Sequence, residues 1–173
     1  MLLIAALSLS LFGHLPRLPA LGRGRHDPAA AADGPRLPAR VGPWRVEGRL
    51  DRFSGTRGCA ITAAGVSLHR GALLFRVAAG GDTRRAVFRI DGGPPRAVAD
   101  VFDRVETLGF FPQRGWLRDP RGGEAVLPAA EISAARTVTI RARTGARPER
   151  FKVSRLDEAM ALARSAGCGE PIP

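Results

Sequence analysis

The sequence predicts a mainly β protein: antiparallel sheets packed in a β-sandwich-like fold, with a C-terminal helix and one or two short additional helices. Three observations predict it. Strand-length runs recur between Gly, Pro and Asp breaks, the pattern of strands joined by turns. The clearest run, 137–143, sets Val138, Ile140 and Ala142 on one side and Thr137, Thr139, Arg141 and Arg143 on the other. That alternation marks a sheet with one solvated face. One well-marked helical stripe closes the chain after Ser154.

Taken in order, residues 44–49 alternate, with Trp44 and Val46 against Arg45, Glu47 and Arg49. Residues 59–62 and 66–69 flank Ala63-Ala64-Gly65 and read as a hairpin, and 72–78 follow Gly71. Gly80-Gly81-Asp82 is a tight connection into 85–91, where Ala86, Phe88 and Ile90 oppose Arg85, Val87 and Arg89. Asp91-Gly92-Gly93-Pro94 has the composition of a turn. A last short strand, 151–153, follows the turn at 145–148.

The stretch 98–108 places Val98, Val101, Phe102, Val105 and Leu108 at helical spacing. Residues 127–135 give a weaker helical pattern. The C-terminal helix starts with Ser154 as N-cap and Asp157 three residues on, a capping-box variant. Leu156, Ala159, Met160 and Ala163 form its apolar stripe, and Gly167 is the expected stop.

The domain expected from these elements spans 43–169. Before it, 33–42 reads as a Pro- and Gly-rich linker, and 170–173 as a tail. Residues 1–32 read as a signal peptide or export segment. The run LLIAALSLSLFG, 2–13, is apolar and has the length of a signal-peptide core. It is shorter than the roughly 20 residues of a membrane-spanning helix, so no span is expected in the mature protein. Ala29 to Ala32 supplies a small-residue cleavage option. The expected location is the periplasm or the exterior.

Export bears on the two cysteines, Cys59 and Cys168. Their spacing excludes a C-x-x-C redox motif and offers no zinc set. In an oxidising compartment a Cys59–Cys168 disulfide is favoured over two reduced thiols or intermolecular pairing. In the chain-entropy argument a loop of this length stabilises by about 4–5 kcal/mol at most.

The net charge is +11, from 27 Lys+Arg against 16 Asp+Glu. Only Lys152 is a lysine, so 26 of the 27 are arginines (27 − 1). With abundant Ala, Gly and Pro, that bias matches GC-rich coding, and it argues against reading the charge as nucleic-acid binding. Aromatics do not interleave with the arginines as a stacking platform requires. The arginines expected to point outward from strands are Arg45, Arg49, Arg76, Arg85, Arg89, Arg141 and Arg143. If their strands are neighbours, Arg45, Arg49, Arg76, Arg89, Arg141 and Arg143 form a candidate anion-binding face. Such a face suits an anionic envelope component or an acidic protein.

Signals for catalysis are sparse. His14 and His26 lie in the export segment, and His69 sits at a hairpin end beside Arg70. No Ser, Cys or carboxylate is spaced locally to pair with it. A small hydrolase assembled around His69 is the enzymatic alternative. Asp100, Asp103 and Glu106 share the polar face of 98–108 and read as solvated. No metal set, phosphate loop or cofactor motif is present in the sequence.

Four motifs together resemble the invasion-associated locus B family. They are Trp44-Arg45-Val46, Cys59-Ala60-Ile61, Phe88-Arg89-Ile90-Asp91-Gly92-Gly93-Pro94, and the run from Phe151 to Ala159. The resemblance covers about residues 43–168. It implies a small exported alphaproteobacterial protein with a β-sandwich-like domain in the periplasm or at the outer surface. The family's name refers to host-cell invasion. That family's pattern often carries a cysteine after the opening Trp strand, where this chain has Gly48. The expected function is therefore non-enzymatic: an exported envelope or surface protein that acts by binding or as a structural component.

Overall fold

The computed structural model describes residues 35–50, 52–53, 55–77, 81–110, 118–119 and 123–169. The chain divides into two units, Met1–Ala32 and Asp33–Pro173, and the described residues belong to the second. The expected export segment, 1–32, and the tail, 170–173, lie outside the described residues.

The strands run in chain order as β1 (Ala39–Val41), β2 (Trp44–Leu50), β3 (Arg57–Ala63), β4 (Val66–His69), β5 (Ala72–Val77), β6 (Gly81–Asp82), β7 (Val87–Ile90), β8 (Arg96–Ala97), β9 (Arg118–Asp119), β10 (Gly123–Pro128), β11 (Thr137–Arg141) and β12 (Glu149–Lys152). Helix α1 is Phe102–Thr107 and α2 is Leu156–Ser165. Strands β1-β2-β3-β4-β5-β10 make a six-stranded sheet, β12-β11-β7-β8 a four-stranded sheet, and β6-β9 a small ribbon. Every pairing is antiparallel. The fold is mainly β and sandwich-like, as the alternation predicts. β1 forms inside the stretch expected to be linker and pairs with β2 through Val41 and Trp44.

The register explains why the sheets pack. Val46 stands opposite Ile61, Ile61 opposite Leu68, Leu68 opposite Leu73, and Leu73 opposite Leu127. All five are buried. Each such side chain is worth about 1.5–3 kcal/mol out of water. A slip of one residue would turn the row to solvent, so burial selects this register. The four-stranded sheet answers with Phe88, Val138, Ile140 and Phe151. Phe75 and Phe151 meet edge to face, centroids 5.2 Å apart, and join the two sheets.

α2 packs against β1, β2 and β3 with Leu156, Ala159 and Ala163 buried. Its start differs from the sequence reading. The Ser154 side chain does not cap it: the residue before the helix is Arg155, left-handed at φ 64°, with no side-chain cap. The Ser154 carbonyl instead accepts the buried Trp44 indole N–H at 3.1 Å. Arg155 returns a two-pronged ion pair to Glu158 at 2.6 and 2.9 Å.

The far end matches expectation in detail. Gly167, at φ 72°, donates its N–H to the Arg164 carbonyl, and Cys168 donates to the Ala163 carbonyl. These two bonds define a Schellman stop, which needs a left-handed residue that glycine adopts without steric cost. The stop turns Cys168 back over the sheet, where it is disulfide-bonded to Cys59 with Cα atoms 5.5 Å apart. Gly169 then donates to the Arg57 carbonyl at 3.1 Å.

Two further readings are corrected. Residues 127–135 are not a helix: β10 runs to Pro128, and a single 3₁₀ turn, Ala129–Glu131, follows. β10 is buried on both faces, so it shows no alternation to distinguish it from a buried helix. The 98–108 stretch splits into a 3₁₀ turn, Val98–Val101, and α1. Glu131 ties these parts together. It takes Arg96 at 2.9 Å on one oxygen and Arg104 at 2.8 Å on the other, the latter a charge contact without an aligned hydrogen bond.

Candidate functional site

The candidate site is the outer face of the four-stranded sheet. Along β11, Val138 and Ile140 face the core, so Thr137, Thr139 and Arg141 face outward. Pairing with β12 sets Thr139 opposite Arg150, and pairing with β7 sets it opposite Arg89. One row therefore reads Arg150–Thr139–Arg89 across three strands. Neighbouring rows add Lys152 opposite Thr137 and Arg141 opposite Val87. Arg89, Arg141, Arg150 and Lys152 are all exposed, and Thr139 between them is half-buried.

Two depressions flank Thr139. One, of about 320 Å³, is lined by Val87, Arg89, Pro95, Thr139, Arg141 and Pro148. The other, of about 520 Å³, is lined by Asp91, Gly92, Arg136, Thr137, Thr139 and Arg150. Arginine thus faces each of them from two positions.

The acid lining the larger depression, Asp91, keeps its charge beside Arg136 but forms no ion pair with Arg89, Arg141 or Arg150. Asp91 lies in a type I′ turn with Gly92, at φ 47° and 77°. Its carboxylate accepts the N–H of Arg136 at 3.0 Å, the N–H of Thr137 at 2.7 Å and the Thr137 hydroxyl at 3.2 Å. The backbone donors at Arg136 and Thr137 hold its carboxyl below the usual carboxylate range. Its oxygens are committed to main chain, which locks the end of β7 to the start of β11. Glu149 stands opposite Ile140, on the other parity of β12. Among the described residues, none of Arg89, Arg141 and Arg150 has an ion-pair partner.

A guanidinium presents a planar fork of N–H donors that fits carboxylate, sulfate or phosphate oxygens two at a time. Two such forks flanking a hydroxyl can hold an anion and orient it.

The arginine row expected from the sequence is divided by the fold. Arg45 and Arg49 on β2 and Arg76 on β5 point from the outer face of the six-stranded sheet, on the opposite side of the sandwich from Arg89 and Arg141. Arg45 is ion-paired to Glu47, and Arg76 stands opposite Glu124. Arg143 lies past the end of β11, and Arg85 sits in the 3₁₀ turn Thr83–Arg85 rather than on a strand. The physical reason is simple. Alternation shows which residues point outward, but each sheet of a sandwich has its own outward side. Arg150 escapes the sequence reading because it starts the last strand at 151, Lys152 lies inside that strand but the reading names only arginines, and Arg136 falls just before the run at 137–143. The alternation Glu149-Arg150-Phe151-Lys152 is the signal that could have found two of them.

His69 ends β4. It lies edge-on to Phe110, with ring centroids 5.4 Å apart and planes at 84°. Burial first, and the Arg70 charge second, lower its pKa from the ordinary value, so the neutral ring is favoured at neutral pH. Among the described residues no carboxylate or hydroxyl hydrogen-bonds to it. No group of three His, Cys, Asp or Glu side chains suited to a metal ion occurs among the described residues. No described helix is long and apolar enough to cross a membrane.

No protein-family model matches the chain, and neither a curated protein nor a solved structure matches it.

Proposed function

We propose that this is an extracytoplasmic binding protein that holds an anionic envelope component on the outer face of its four-stranded sheet. Arg89, Arg141 and Arg150 supply the cationic forks and Thr139 the hydroxyl between them. The ligand class is a polymer or surface bearing phosphate, sulfate or carboxylate groups. The observation that carries the reading is the register row Arg150–Thr139–Arg89, in which neither arginine has a described carboxylate partner. The disulfide and the apolar run 2–13 support an oxidising compartment.

The proposal includes divergent membership of the invasion-associated locus B family. Its support is the motif residues, which lie on β2, on β3, on β7 with its turn, and across β12 and α2. The hydrolase alternative has less support, because His69 contacts an aromatic ring rather than an acid or a nucleophile.

The test is retention on immobilised heparin, used as a polyanion probe, in a salt gradient. The triple variant R89Q/R141Q/R150Q is expected to bind about tenfold more weakly, since three charge-assisted contacts go. R45Q/R49Q/R76Q is expected to change binding less than about twofold, since Arg45 is ion-paired to Glu47 and Arg76 faces Glu124, leaving Arg49 as the one uncompensated charge removed. Equal losses in the two triples would reduce the site to general cationic attraction and end the proposal.

A further inference from the structure

Among the described residues most large apolar side chains are buried or half-buried. Phe75, Phe88, Phe110 and Phe151 are buried. Among the described residues the exposed large hydrophobics are Leu50, at 64%, and Phe53, at 100%. Leu50 is the last residue of β2, and Phe53 lies on the connection to β3. Two such side chains three positions apart on one hairpin tip are not scattered surface residues; they make a small apolar point.

That point has a cationic collar. Arg49, Arg52 and Arg57 are exposed around it, against one acid in the stretch, Asp51. The base of the hairpin is held firmly. β2 and β3 pair as far as Leu50 opposite Arg57, the Arg57 carbonyl accepts the Gly169 N–H, and Cys59, two residues on, is bridged to Cys168. A preorganised base lowers the ordering cost of binding, which favours affinity.

We infer that the β2–β3 hairpin tip inserts into an anionic lipid leaflet, with Leu50 and Phe53 entering the headgroup–acyl boundary and Arg49, Arg52 and Arg57 engaging lipid phosphates. Apolar side chains ringed by arginine suit that boundary, where buried apolar area and attraction to anionic lipid add together. Charge complementarity selects an anionic leaflet over a neutral one. This surface shares no residue with the proposed polyanion site, so each can fail alone.

The experiment uses the full chain and two vesicle types, phosphatidylglycerol–phosphatidylethanolamine and phosphatidylcholine. Emission of Phe53→Trp, after subtraction of the wild-type signal, should shift to the blue with anionic vesicles. Brominated acyl chains should quench it. The variant L50S/F53S should partition onto anionic vesicles about tenfold more weakly, reflecting two apolar side chains left in water, with heparin elution unchanged. Both residues are exposed, so the variant should keep the wild-type circular dichroism. R89Q/R141Q/R150Q combined with F53W should keep the blue shift. Emission from F53W that is neither shifted nor quenched in anionic vesicles would overturn the inference. So would L50S/F53S removing self-association in sedimentation while leaving vesicle partition intact, because a second copy would then be the occupant.

Discussion

The two outer faces of the sandwich both carry arginines, and they differ in what stands beside them. On the six-stranded sheet Arg45 is paired to Glu47 and Arg76 faces Glu124 across the strands. On the four-stranded sheet Arg89 and Arg150 face Thr139, Arg141 faces Val87, and Lys152 faces Thr137. The acid at that sheet's end, Asp91, is taken up by main-chain N–H groups. The lesson is that composition alone does not make a basic site. Both faces draw on the same arginine-rich sequence, and the distribution of carboxylates decides which arginines stand beside an acid.

The sheets also differ in how they are held, and this gives the largest expected effect. Replacing both cysteines, C59A/C168A, should lower stability by up to about 4–5 kcal/mol. Hydrogen exchange should rise first in α2 and in β3, while β7 and β11 keep their protection. A uniform rise across both sheets would show that the halves open as one cooperative unit, and the distinction between them would collapse.

A smaller effect tests the charge contrast directly. Thr139→Glu would give the bare face the kind of neighbour its counterpart already has. Heparin retention should weaken by about three- to tenfold, as a carboxylate between Arg89 and Arg150 competes for both forks. Unchanged retention would mean that the row Arg150–Thr139–Arg89 does not contact the polyanion.

The smallest effect concerns Asp91. Its folded carboxyl is held below the ordinary range, so its contribution to stability is present above the unfolded pKa. That contribution is lost as pH falls through the folded one. Asp91→Asn keeps a side chain that tolerates φ 47° but removes the charge. The wild type should therefore lose more melting temperature than D91N as pH falls through and below the carboxylate range. Parallel acid profiles would show that the Asp91 charge does not stabilise the β7–β11 lock.

Much of the fold was legible wherever one periodicity acted alone. Trp44 and Val46, Val138 and Ile140, and Leu156, Ala159 and Ala163 of the last helix each alternate or repeat cleanly, and each is core. The pairing of Cys59 with Cys168 follows from there being only two cysteines and from the expectation of export. Legibility ended where tertiary contacts decide. β10 is covered on both faces, so its strand carries no pattern of its own. Ser154 has the chemistry of a cap, but the Trp44 indole, 110 positions away in sequence, takes its carbonyl, and Arg155 turns left-handed instead. The site was half legible: outward-pointing arginines could be named, but their division between two sheets is a property of register and layer order.

The bridge has a mechanical consequence as well. Cys59 and Cys168 are separated by 109 positions, and a covalent link between them carries tension past everything in between. At about 3.3–3.6 Å per extended residue, it withholds roughly 370 Å of contour length from a force applied at the two ends. Under load the oxidised domain would yield only through β1, β2 and the start of β3. The rest of the β-structure, including the arginine row, would stay assembled while the chain on either side is stretched. A chain pulled from both ends would keep that face assembled under strain, and reduction of one bond would remove that protection.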